Sequence, residues 1–398
     1  MNISTLPAFG SFPISKRSRF LNLLQIGGIL LIIGAHTGVR GTGVATIALE
    51  MFFVMAGLNM ARYIDRHNTL SSFVWSRARR LAPEISVVWC ITLIAFLLGL
   101  RSGTEVFLIT TPLFLENFAE PYLRPIPGVN FVFLAALWFV PALLQLQVIV
   151  FLVRKAVTHH RPLLIVLATV SIELIFRALV AALHGGINRD LAYPSSDGIY
   201  RMAITHALPF VLGFMLGCGS LPRMGRWFPV LAAITAAMGI LNYVLAPPHS
   251  FGITTWGYPV GMPFNYQYLW GYPLVALLCA ALCAPDGRTS SLVERLEIPQ
   301  RLDNFSDRLA RLTYGVYVFH CLFLAALEYA LWFHGISEGA YMRVMLFVVI
   351  TSASFGSAWL LQQAWRWLRC RVCAIYPILV VSKPDQLPQR CIACMSLK

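Results

Sequence analysis

The chain has 398 residues, 58% of them hydrophobic and only 12% charged, with a mean hydropathy of +0.70. Water-soluble domains carry about twice that charged share, so the composition excludes a separate soluble domain and gives an all-α, polytopic membrane helix bundle. The net charge of +14 invites a nucleic-acid reading, which its distribution removes.

Apolar stretches near the ~20 residues needed to cross a bilayer lie at 21–38, 44–64, 85–100, 131–153, 163–183, 200–219, 227–246, 267–285, 314–333 and 342–361. That predicts about ten membrane helices. With the N-terminus inside, 24 of the 31 Lys and Arg fall on the cytoplasmic side, and the other seven lie on external segments or within spans. This is the positive-inside bias, and it predicts that both termini are cytoplasmic. The basicity is topological, and no nucleic-acid partner is expected. The first nineteen residues lack an apolar core of their own, so span one is read as an uncleaved anchor. The short stretch 106–118 reads as a loop or an interfacial segment.

In chain order, the first span ends on His36 and holds Gln25 eleven residues earlier. Eleven residues nearly complete three helical turns, which puts both on one face roughly 16 Å apart. A titratable imidazole on a spanning helix usually marks chemistry or a proton path. The second span carries Glu50, which must be protonated or paired there. It is either an interhelical hydrogen bond or a functional carboxylate.

Ahead of the third span, Arg77 and Arg80 are three residues apart on one helical face, suited to clamping a phosphate or to meeting anionic lipid headgroups. Pro83 is expected to interrupt or kink that helix. In the fourth span Trp138 precedes Pro141, a pattern of broken helices that line cavities. Glu173 and Arg177 are spaced as an intramembrane ion pair. Tyr314, Tyr317 and His320 recur every three residues, forming a ridge that lines a polar cavity or belongs to an interfacial aromatic belt.

Of nine cysteines, Cys90, Cys218, Cys279, Cys283 and Cys321 read as small apolar residues. Cys370, Cys373, Cys391 and Cys394 are spaced C-x2-C-x17-C-x2-C, which suits a zinc site; palmitoylation beside the last span is the alternative for the first two.

Four segments in order, LNLLQIGGILLIIGAH, EMFFVMAGL, FVWSRARRLAP and LARLTYGVYVFH, resemble the motifs of the integral-membrane acyltransferase-3 family, which O-acylates cell-surface carbohydrates. LWFVPALL and FVLGFMLG add to the likeness. The resemblance implies an acyltransferase-3-like transmembrane domain over 21–361, flanked by cytoplasmic segments 1–20 and 362–398, in a bacterial inner membrane.

The same resemblance implies catalysis by His36 with Gln25 and Glu50. Arg77 and Arg80 would engage acyl-CoA as the donor, most often acetyl-CoA. Trp138, Tyr314, Tyr317 and His320 would line the substrate cavity, and no metal is expected. The partners it implies are the lipid bilayer, acyl-CoA and a carbohydrate or glycolipid acceptor: lipopolysaccharide, exopolysaccharide, glucan or lipo-chitooligosaccharide. Gln25 stands where the family has arginine, Glu50 where it has aspartate, Ala56 and Thr313 where it has serine. A transporter or flippase of glycan precursors and a catalytically degenerate family member remain as alternatives.

Overall fold

The computed structural model describes residues 19–39, 45–98, 108–118, 135–159, 161–183, 202–245, 272–284, 286–336 and 339–380. Among the described residues there is no β-strand. The helices are α1 (Arg19–His36), α2 (Ala45–Ala61), α3 (Leu70–Leu97), α4 (Phe139–His159), α5 (Pro162–Leu183), α6 (Ala207–Gly217), α7 (Phe228–Leu245), α8 (Tyr272–Cys283), α9 (Arg288–Arg295), α10 (Gln300–Phe333) and α11 (Ala340–Val380).

Four of them (α1, α4, α10 and α11) are long and apolar enough to cross a membrane, and shorter apolar helices accompany them. Each apolar stretch named above lies at least partly on a helix. In a bilayer every backbone polar group must be satisfied within the protein, which favours helices wherever the sequence is continuously apolar.

The centre of the bundle is α2 against α6. α6 has eleven residues, ALPFVLGFMLG, and is buried from Leu208 to Leu216. Small residues let its backbone approach α2 closely. A Cβ built on Gly213 would sit 1.9 Å from the Val54 carbonyl oxygen, one on Gly57 would sit 2.0 Å from that of Phe210, and Gly217 faces Ala61. Where lipid removes the hydrophobic drive between helices, such close van der Waals contact is what holds them.

α1 packs on α2 and on α10, α8 covers α2 and α6, and α10 pairs with α11. Arg19, at the start of α1, bridges to Asp303 (Nε–Oδ1 2.9 Å) and donates to the Leu296 carbonyl (2.6 Å), tying α1 to α9 and α10. The outer helices turn large apolar side chains outward: Leu163, Leu167 and Ile175 on α5, Met345, Val348 and Leu360 on α11. That surface suits lipid contact.

Several expectations are corrected. Pro83 does not interrupt its helix. α3 runs through it from Leu70 to Leu97, capped by Thr69, whose hydroxyl accepts from the Ser72 amide, so the basic segment and the third span are one helix. Pro141 does not break a span either. A 3-10 turn, Ala135–Trp138, precedes α4, which starts at Phe139. Pro141 therefore sits in the first turn, where its missing N–H leaves no bond unmade.

The stretch 106–118 is more than a surface loop. Its described part forms two 3-10 turns pinned inside, with Asn117 and Gln145 exchanging amide hydrogen bonds of 3.1 Å and Trp89 donating to Leu108 (3.0 Å). Glu173 places its carboxylate on the Leu208 amide at 2.6 Å, capping the start of α6. The Arg177 side chain lies outside the described residues. α11 continues unbroken past 361 to Val380, which leaves the expected cytoplasmic segment 362–398 helical over its first part.

Candidate functional site

α1 and α10 bring together two histidines 284 positions apart. His36 Nδ1 lies 2.8 Å from His320 Nε2, and the rings are nearly parallel (6°) with centroids 5.1 Å apart. Nitrogens that close with centroids that far apart must both lie between the rings, so the bond runs close to the ring plane.

For two neutral rings the contacts assign the tautomers. His320 Nδ1 stands 2.6 Å from the Tyr317 carbonyl oxygen. A carbonyl only accepts, so Nδ1 carries the proton, and Nε2 of a neutral ring is then the acceptor. His36 must donate to it from Nδ1, which places the lone pair of His36 on Nε2. The result is an oriented base: carbonyl, His320, His36. His320 is fully buried and His36 is partly exposed at the helix end, so the outer ring of the pair is the accessible one.

Around the pair runs an aromatic wall. The Tyr317 ring lies 5.5 Å from His320 and 5.1 Å from Phe139; Phe139 meets Phe53 at 4.7 Å, and Trp138 meets Phe139 at 6.1 Å. Tyr317 and His320 are buried and Tyr314 partly so, which speaks against an interfacial belt for the Tyr314–Tyr317–His320 ridge. The wall ends on His206, stacked on Phe53 (4.4 Å, 11°) and Trp138 (5.3 Å, 27°).

His206 Nδ1 is 2.9 Å from Glu50 Oε1, and both side chains are buried. Glu50, expected to be protonated or paired, has His206 as its partner. Removing one member of a buried pair strands the other, at a cost of about 3–5 kcal/mol. Glu50→Leu is expected to destabilise the protein by about 3 kcal/mol, and the double variant Glu50→Leu/His206→Phe by clearly less than the two single losses together, read by denaturation in detergent. Strict additivity would show that the pair has no mutual dependence.

At the other end of the site, the Arg77 guanidinium lies 3.9 Å over the Tyr63 ring. Its Nε is buried and makes no hydrogen bond. Burial pulls the Arg77 pKa below its ordinary value. Arg80 is exposed and is a charged neighbour of both Tyr63 and Tyr314. The two arginine charges are thus neighbours. A partly desolvated guanidinium with its Nε unbonded, beside an exposed one, suits an anion that arrives with its own oxygens.

Gln25 is buried on α1 with its carbonyl oxygen unbonded, as is that of Asn22. It makes no hydrogen bond to His36. Tyr314, one turn before Tyr317, has a buried hydroxyl without a partner.

His36 Nδ1, His320 Nε2 and Cys321 Sγ lie within 4.8 Å of one another, a group that could hold a metal. A tetrahedral ion at metal–nitrogen distances near 2.0 Å would hold the nitrogens roughly 3.3 Å apart; at 2.8 Å they are hydrogen-bonded to each other. Cys321 Sγ also approaches His320 Nε2 at 3.2 Å. Cys391 and Cys394, and the side chains of Cys370 and Cys373, lie outside the described residues, so the zinc spacing stays an expectation.

Sequence reasoning missed His206, because its partner is 156 positions away. It also missed Glu116 and Asn117, placed in a segment too short to read as a span. A polar residue inside an apolar helix start, as in AITHALPF, was the available signal for His206.

Residues 18–363 match the family model described as an acyltransferase domain, acyltransferase-3. No match was found among curated proteins or among solved structures.

Proposed function

Because the chain belongs to the acyltransferase-3 family and is an acyltransferase of the membrane-embedded kind, we propose that it moves an acyl group, acetyl in the main, from cytoplasmic acyl-CoA to a hydroxyl of an exported or surface carbohydrate at a bacterial inner membrane. The observation that carries this reading is the His36–His320 pair with its fixed tautomers.

The chemistry follows from that orientation. His36 Nε2 takes the proton of the acceptor hydroxyl as its oxygen attacks the thioester carbonyl. The tetrahedral intermediate collapses with cleavage of the carbon–sulfur bond, and the imidazolium returns its proton to the departing thiolate. During the step the charge on His36 is shared through its Nδ1–H bond to His320, whose own Nδ1–H is held by Tyr317. Positioned acid–base groups of this kind contribute about 10²–10⁴-fold. Tyr317, Phe139 and Trp138 give the acceptor's carbon–hydrogen faces an aromatic wall. Arg77 and Arg80 suit the donor's phosphates, and both termini and the basic segments are assigned to the side where CoA resides.

The features that suggested a transporter find other uses: Pro141 lies in a first helical turn and the Glu173 carboxylate caps α6. Transfer of radiolabelled acetyl from acetyl-CoA to membrane glycans, in vesicles with and without the protein, tests the proposal. Label that depends on the protein is the expected result. Absence of label with glycan movement intact favours a transporter, and absence of both favours a degenerate family member, for which Gln25 is the motive.

A further inference from the structure

Buried polar atoms around Tyr314 lack a well-formed hydrogen bond: the Tyr314 hydroxyl, Glu84 Oε2, and the Glu116 carboxyl oxygens, which have only the Thr111 side chain beside them. They come from three separate elements, α10, α3 and the second 3-10 turn of the 108–118 segment. Glu116 is 1% exposed. Glu84, Glu116 and Arg80 are the charged neighbours of the Tyr314 hydroxyl, and Glu84 reaches α10, its Cγ 3.7 Å from where a Gly315 Cβ would be. Buried polar groups in folded proteins are nearly all bonded, and a cluster of exceptions points to something that completes them.

Location and chemistry narrow what that is. One end of the cluster is Arg80, beside Arg77 and Tyr63. The other end is Tyr317, a neighbour of Tyr314, whose ring adjoins His320. From Tyr314 to His320 along α10 is about 9 Å at 1.5 Å per residue. The unpaired groups thus form a track from the arginines to the histidine pair. Carboxyls and a phenol offer both donors and acceptors, which suits an elongated neutral chain of amides and hydroxyl.

We propose that Tyr314, Glu84 and Glu116 bind the pantetheine arm of the donor, pairing its amides and hydroxyl so that the thioester is delivered to His36. This rests on the acyl-CoA reading above and adds the residues that recognise the arm as distinct from the nucleotide.

The test compares binding of CoA and of adenosine 3′,5′-bisphosphate, which has the nucleotide phosphates without the arm, to the full-length protein in nanodiscs. Wild-type protein is expected to bind CoA more tightly than the bisphosphate. The combined variant Tyr314→Phe/Glu116→Gln is expected to lose about tenfold in CoA affinity with bisphosphate affinity unchanged, whereas Arg77→Ala weakens both. Each single variant, isosteric with the native side chain, is measured alone to guard against misfolding of the pair. Equal CoA affinity in wild type and variants overturns the assignment of the arm while leaving the donor reading intact. Failure of wild-type protein to bind CoA at all removes both.

Discussion

His36→Ala abolishes acyl transfer, by at least about 10²-fold, while the amount of protein in the membrane stays at the wild-type level. The measurement pairs transfer of label from acetyl-CoA to glycan with immunoblotting of the membrane fraction; unchanged acylation would sink the mechanism. The prediction extends to the partner ring. His320→Ala removes the acceptor that keeps the His36 proton on Nδ1, so it lowers the rate as well, by about tenfold or more. Groups that act as one unit are strongly non-additive. The double variant is therefore expected to be no worse than His36→Ala alone.

Gly213→Val produces the largest loss of stability. Even the first carbon of the new side chain would fall 1.9 Å from the Val54 carbonyl oxygen and 2.7 Å from its carbon. Backbone cannot yield as a flexible side chain does, so α6 must lift off α2. Overpacking of a tight core typically costs 1–3 kcal/mol and sometimes more; here at least about 3 kcal/mol is expected, seen as a lowered midpoint of thermal unfolding in detergent and loss of monodisperse protein. Gly27→Ala is the control, since nothing lies within 4 Å of a Cβ there, and its midpoint should be unchanged or slightly raised. A Gly213 variant that melts with the control would refute the close-packing account.

The helices were legible in the sequence because continuous apolar runs leave the backbone no alternative in lipid. So was the placing of His36, Tyr317 and His320, whose spacing puts them on defined faces. What sequence could not give was which faces meet. Glu50 was readable as a carboxylate needing a partner, yet the partner, His206, lies 156 positions on. Pro141 looked like a break since proline usually is one, but a 3-10 turn ahead of it moved the helix start by a few residues and made it harmless. The segment at 106–118 was too short to read as a membrane element, and only tertiary contacts through Asn117 and Gln145 bring it inside. That Gln25 cannot reach His36 follows from their spacing along one helix, whereas its burial with an unbonded carbonyl oxygen depends on three-dimensional packing.

The Arg19–Asp303 bridge and the His36–His320 bond have the same sequence separation, 284 residues in each case. Eighteen residues of α1 thus run alongside eighteen of α10, parallel and in step, with a rung at each end about 25 Å apart over the seventeen helical steps between them. The pair works as a gauge: its length is close to the ~30 Å of a hydrocarbon core, and the ionic rung fixes how far one helix can slide on the other. Inserting a single residue between Arg19 and His36 would turn the imidazole by about 100° and carry it about 1.5 Å along the axis, so the two rungs could no longer close at once. The alignment of the His36 ring is in this sense decided at the opposite end of α1.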